Sequence, residues 1–234
     1  MPRKISNPKL KGSKIKISKS LGKGQGGGLS PKVRRAIIRE PGTKRKVYAA
    51  MKKLAIFGET YKREDIAQGQ VAWKAFYRAG LPVPKFSKVE LRKGHEHYLA
   101  VFMEDMVKKH GRIIDGHELG QPVFLRKLSV ERNGSLIKNL AKDLATMHNI
   151  GFTTRYLDFW HYYKNRKGKW NRVILDFNGF EKEFDERVTR TRLRHNITHA
   201  KEHFGKREFI LFFEEYLKHY KGKHRNVAIE SSKA

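Results

Sequence analysis

Residues 173–180 read VILDFNGF, an apolar strand that ends on Asp176 and gives way to Phe-Asn-Gly. This presents one carboxylate at the mouth of a core, a placement suited to holding the magnesium of a phosphoryl-transfer site. An ordinary strand-end turn aspartate has the same local pattern. Such a site also needs a lysine on the phosphates. Lys52 alternates with Tyr48 and Ala50, which turns it to the inner side of a strand, although Lys53 beside it offers the surface alternative. A phosphate cover comes third. Gly22-Lys-Gly-Gln-Gly-Gly27 has the G-x-G-x-x-G spacing between two extended segments, with Gly22, Gly24 and Gly27 as the contact points. The same run also reads as a flexible linker.

Composition bounds the rest. The chain has 234 residues, 38% hydrophobic and 11% aromatic, enough for one two-lobed domain with a real core. It has no cysteine, which excludes disulfides and cysteine-ligated zinc or iron–sulfur centres. No apolar run approaches the length of a membrane span, and the N-terminus has no apolar signal core. A cytoplasmic location is therefore expected. Lys and Arg outnumber Asp and Glu by 52 to 23, for a net charge of +29. A field of that sign attracts polyanions: nucleic acid, phosphorylated glycolipid, or the anionic surface of an inner membrane. The charge is uneven, since residues 1–46 hold fifteen Lys/Arg and one acid, Glu40.

The elements that must position these residues follow from pattern. Residues 1–13 are basic and aperiodic, the signature of a disordered arm. Lys14–Ser18 alternates as a strand, and two extended segments flank Pro41-Gly42-Thr43 as a β-hairpin. Residues 61–79 carry Ile66, Trp73, Phe76 and Tyr77 on one helical face, and Leu81-Pro-Val-Pro84 stops that helix. Strands are expected at Lys85–Leu91 and His97–Met103, then loop with one short helix over 107–130. Ser135 is the expected cap of a helix striped by Leu136, Leu140, Leu144 and Met147. Phe159–Tyr163 and Trp170–Leu175 form a second hairpin around Lys164–Gly168. Phe209, Phe212, Phe213, Tyr216 and Tyr220 share a face of the helical C-terminus. Strands first and helices later indicate α+β, divided as an arm at 1–13, a sheet-rich part at 14–106 and a helical part at 107–234.

In that order the segments resemble the protein-kinase-like superfamily, and most of all the lipopolysaccharide core (heptose and Kdo) kinases. The likeness runs from about Val47 to Tyr216. Tyr48–Lys52 resembles the strand of the ATP lysine, Trp73–Pro84 the helix closing the sheet lobe, and Tyr98–Met106 the strand entering the hinge. Leu144–Phe152 (LATMHNIGF) resembles the helix end before a catalytic loop. The resemblance implies a two-lobed kinase-like fold with a β-rich N-lobe and a helical C-lobe. It further implies ATP and Mg as cofactors, Glu104 and Met106 on the nucleotide, and Asp176 and His161 on the metal. His161 also reads as a core histidine of an aromatic hairpin.

Two positions depart from the pattern. The usual glutamate partner of the lysine is Gln70, with Glu64 a turn and a half earlier. Thr154-Arg155-Tyr156 falls on His-Arg-Asp, so Tyr156 stands where the catalytic aspartate is expected. A phenol with a pKa near 10 is a poor proton acceptor at neutral pH. Asp158, two residues on, becomes the candidate base if the loop is longer by two, a register that breaks the His161 match. The expected activity is ATP-dependent phosphorylation of a hydroxyl on a sugar or glycolipid such as lipopolysaccharide core. The alternative is a non-catalytic kinase fold that binds nucleic acid or another polyanion through its basic surface.

Overall fold

The structure is a computed structural model. It describes residues 8, 10–11, 13–22, 33–44, 46–55, 63–92, 98–115, 121–154, 157, 159–175, 177, 180–182 and 185–233. The first half runs β1 (Lys14–Gly22), β2 (Val33–Arg39), β3 (Lys46–Ala55), α1 (Arg63–Ala79), β4 (Ser87–Arg92) and β5 (Tyr98–Glu104). These strands form one antiparallel sheet in the order β1-β2-β3-β5-β4. The helix therefore interrupts the sheet between its central strand and its edge strand. The Pro41-Gly42 turn closes the β2–β3 hairpin as expected, with Gly42 at φ 73° where a side chain would be strained.

The period-2 pattern splits the sheet into two unlike faces. Ala36, Ile38, Ala49, Met51, Ala100 and Phe102 are all buried on one face, where Phe86 and Leu10 cover them. Leu10 lies within the basic N-terminal arm, so this part of the arm is packed against the sheet. On the other face Val33, Arg35, Ile37, Ala50, Val101 and Met103 are only half-buried. That face looks toward α1, whose Gln70 amide donates to the Ser87 hydroxyl at 2.8 Å.

The second half is α2 (Met106–His110), β6 (Ile114–Asp115), α3 (Gln121–Arg126), α4 (Val130–Asn149), β7 (Phe152–Thr154), β8 (Trp160–Lys164), β9 (Trp170–Ile174), β10 (Phe180–Lys182), α5 (Glu186–His203), α6 (Lys206–His219) and α7 (Arg225–Lys233). The molecule is thus a mixed α+β protein. The region expected as loop with one short helix holds two short helices and a short strand. The long helix α4 starts six residues before the expected cap: Ser129, extended at φ −117° and ψ 145°, accepts the Arg132 N–H, and Ser135 lies inside the helix on its exposed side.

The main core gathers Trp73 and Phe76 from α1, the Leu136–Leu140–Leu144–Met147 stripe of α4, and Phe209, Phe212 and Tyr216 of α6. Phe76 meets Phe152, Phe177 and Phe180 at 5.3, 6.3 and 4.7 Å between ring centroids, so α1 is keyed into the strands of the helical half. An ion pair ties α4 to β9: the Arg172 guanidinium donates to both Asp143 carboxylate oxygens at 2.8 Å. Among the described residues, no helix is long and apolar enough to cross a membrane.

Candidate functional site

Backbone register brings two of the sequence candidates into one line across the sheet. Gly22 ends β1 opposite Val33, Val33 is opposite Lys52 on β3, and Lys52 is opposite Val101 on β5. Two strand spacings separate the Gly22 and Lys52 backbones, about 9–10 Å. Lys52 shares its register face with Ala50 and Met103, the half-buried face beside α1. The Lys52 side chain and residues Gly24 and Gly27 lie outside what the structure describes. So does the Glu64 side chain. Gln70 is bonded to Ser87, as noted above.

Two antiparallel pairings define the second part of the site. Thr154 of β7 is opposite Phe180 of β10, and Trp160 of β8 is opposite Ile174 of β9. The strands that flank residues 155–159 and residues 175–179 are therefore paired with each other at both ends. Asp158 belongs to one and Asp176 to the other. Neither aspartate is itself among the described residues, but their neighbours Leu157, Phe159 and Phe177 are buried at 1%, 6% and 5% exposure. His161 is opposite Val173 on one side and Asp115 on the other, half-buried, with Nδ1 3.4 Å from the Phe159 carbonyl. Its partner Val173 precedes Asp176 by three positions in the sequence.

The third part is the passage from sheet to helices. Glu104 ends β5, and its carboxylate accepts the Lys85 N–H at 2.8 Å and pairs with Lys109 at 3.1 Å. Asp105 is buried. Its carboxylate caps α2 by accepting the Lys108 N–H at 2.8 Å and also pairs with Arg35, which reaches down from β2 on the half-open face. Met106 is buried against Tyr163 and Val173, joining this passage to the β8–β9 hairpin. The Arg35–Asp105 pair was not legible from the sequence, because the two residues are seventy positions apart. A cavity of about 600 Å³ lies beside Tyr48, Glu104 and Asp105; its described lining includes neither Lys52 nor His161.

A polar relay ends on the backbone of Thr154. The Asn196 amide of α5 donates to the Thr154 carbonyl at 2.9 Å, so its Oδ1 faces His148 Nε2 at 3.1 Å as an acceptor. That arrangement sets the tautomer: His148 carries its proton on Nε2, and Nδ1 accepts from the Tyr216 hydroxyl at 2.8 Å. Burial pushes the His148 imidazole down to about 4, so it is neutral at physiological pH. Helices α4, α5 and α6 thus converge on the residue that precedes Arg155. His148 stood in the sequence only as part of a motif; Asn196 gave no signal, because its role depends on tertiary contact.

Magnesium takes oxygen ligands. Among the described residues no group of three or more His, Cys, Asp or Glu is arranged to hold a metal. Compared with the models of known protein families, and with curated proteins, the chain matches none.

Proposed function

We propose that this chain is a kinase-like phosphotransferase that uses Mg-ATP to phosphorylate a hydroxyl of a sugar or glycolipid. The observation that carries the reading is the double tether of segments 155–159 and 175–179. Phosphoryl transfer needs a base beside the acceptor and a carboxylate on the metal, held at fixed separation. Two short stretches whose flanking strands pair at both ends suit that need, with Asp158 proposed as base and Asp176 as metal ligand. Three further features support it. The strand order β1-β2-β3-β5-β4, with a helix inserted between β3 and β4, suits the N-lobe of a two-lobed kinase-like fold. The line Gly22–Val33–Lys52 suits a phosphate cover above a phosphate-binding lysine. The nucleotide base would then lie by Glu104 and Met106, next to the Arg35–Asp105 pair.

When bound, Mg-ATP supplies the transferable phosphoryl group and neutralises its charge. Asp176 fits the metal as an oxygen donor. The imidazole of His161 is a softer ligand, better suited to a phosphate oxygen than to magnesium. The +29 charge fits a polyanionic acceptor, at a cytoplasmic site in contact with an anionic inner-membrane surface. Tyr156 in the place of the base favours a second reading, a kinase fold that binds a polyanion without turnover.

Thermal unfolding tests the proposal. Mg-ATP at a hundredfold excess over its Kd should stabilise the wild type by about 2.7 kcal/mol. Asp176→Ala should melt like the wild type without ligand and gain nothing from Mg-ATP. Equal stabilisation of both proteins, or none of the wild type, would remove the site assignment.

A further inference from the structure

The tip of the β8–β9 hairpin is built to hold positive charge in place. Residues 164–169 read KNRKGK, four cations and no acid in six positions. Such a cluster repels itself, and a loose loop would spread it. Here the loop is fixed. The Asn165 N–H donates to the Lys169 carbonyl at 2.9 Å, and the Gly168 N–H donates to the Asn165 carbonyl at 2.9 Å. The Asn165 side-chain oxygen accepts from the N–H groups of Lys167 and Lys169 at 2.9 and 3.1 Å. Gly168 supplies the left-handed turn at φ 71°. One asparagine therefore organises the whole tip.

The cations so held are all exposed. Lys164 lies over the Trp170 ring at 5.1 Å. Arg166, Lys167 and Lys169 have no ion-pair partner among the described residues. Elsewhere on the helical half, Arg172, Arg192, Arg207 and Lys223 each face a carboxylate. At the hairpin tip the backbone is fixed through Asn165, and three of its four cations have no ion-pair partner among the described residues.

We infer that this tip is a contact for the phosphodiester backbone of a nucleic acid. A cluster of exposed cations on a fixed backbone neutralises phosphates and releases the counterions condensed on the nucleic acid, which favours binding and relieves the mutual repulsion of the cations. The tip has no apolar residue from 164 to 169 to enter an acyl layer, which separates it from a membrane-inserting element. The proposed contact is from cations to phosphate oxygens, which carry no sequence information, so binding is expected to be independent of sequence. The inference does not depend on the nucleotide site.

The test is fluorescence anisotropy with the full chain and labelled single-stranded RNA or duplex DNA of about 20 units, over a salt series. Vesicles of phosphatidylcholine with phosphatidylglycerol form a separate arm. The variant is Arg166→Gln with Lys167→Gln and Lys169→Gln, which keeps Asn165 and Gly168. A control on α6, Lys206→Gln with Arg207→Gln and Lys218→Gln, removes the same charge. The hairpin variant should bind at least about tenfold more weakly near physiological salt, and its salt slope should fall by about 2–3. The control should lose less than about threefold. The tighter of the two nucleic acids identifies the source of the phosphates. Equal weakening by the control would assign the binding to net charge and overturn the proposal. So would a wild type that binds neither nucleic acid, or that binds only vesicles.

Discussion

Asp158→Asn is expected to lower ATP-dependent phosphorylation of a lipopolysaccharide-core acceptor by roughly 10²–10⁴-fold. The substitution is nearly isosteric and removes only the ability to take a proton. Leu157 and Phe159 hold the backbone on either side in the core, so the loss should appear in kcat without unfolding. The companion variant is Tyr156→Asp. If Asp158 is the base, this second carboxylate should not raise turnover. If the wild type is inert and Tyr156→Asp creates turnover, the base position is Tyr156, and the chain has kept a kinase-like frame for binding alone. The two variants together decide which of the neighbouring positions faces the acceptor.

Arg172→Ala should cost about 3–5 kcal/mol of stability. Asp143 is 4% exposed and receives two hydrogen bonds from the one guanidinium. Burial raises its carboxyl above the ordinary range, and Arg172 opposes that shift. Removing the arginine leaves a carboxylate in the core with its attraction gone and its desolvation intact. The double variant Asp143→Leu with Arg172→Met removes both charges and keeps the volume, and should recover most of the loss. Denaturant unfolding of the wild type, the single variant and the double variant measures this directly. A single variant within about 1 kcal/mol of wild type would show that water reaches the pair and that it is worth no more than a surface bridge.

Much of the frame was legible because it rests on local chemistry. The Pro41-Gly42 turn, the Leu136–Met147 stripe, the aromatic face of α6 and the hairpin around Lys164–Gly168 each carry their own period or turn signal. The start of α4 was misread because two serines six residues apart can both cap a helix, and only the backbone geometry of Ser129 decides between them. The strand at Ile114–Asp115 had no periodic signal; it exists because β8 offers it an edge. The β7–β10 pairing joins two three-residue strands too short to announce themselves. Candidate site residues were found one at a time by type. What joins them is long-range: Asn196 to Thr154, Arg35 to Asp105, Gly22 to Lys52 through Val33. Pairings of this kind depend on tertiary packing and leave no mark in a local pattern.

An acylating nucleotide, carrying a lysine-reactive acyl phosphate on ATP, tests the central claim most directly. The chain holds 52 Lys and Arg residues, so indiscriminate chemistry would mark many lysines at once. Peptide mapping after brief exposure should find Lys52 modified ahead of all other lysines, including its neighbour Lys53. Excess Mg-ATP should protect it, and Asp176→Ala should abolish both the preference and the protection. Modification spread over the basic surface, or concentrated on another lysine and insensitive to Mg-ATP, would contradict a nucleotide site formed by β3 and the two tethered segments.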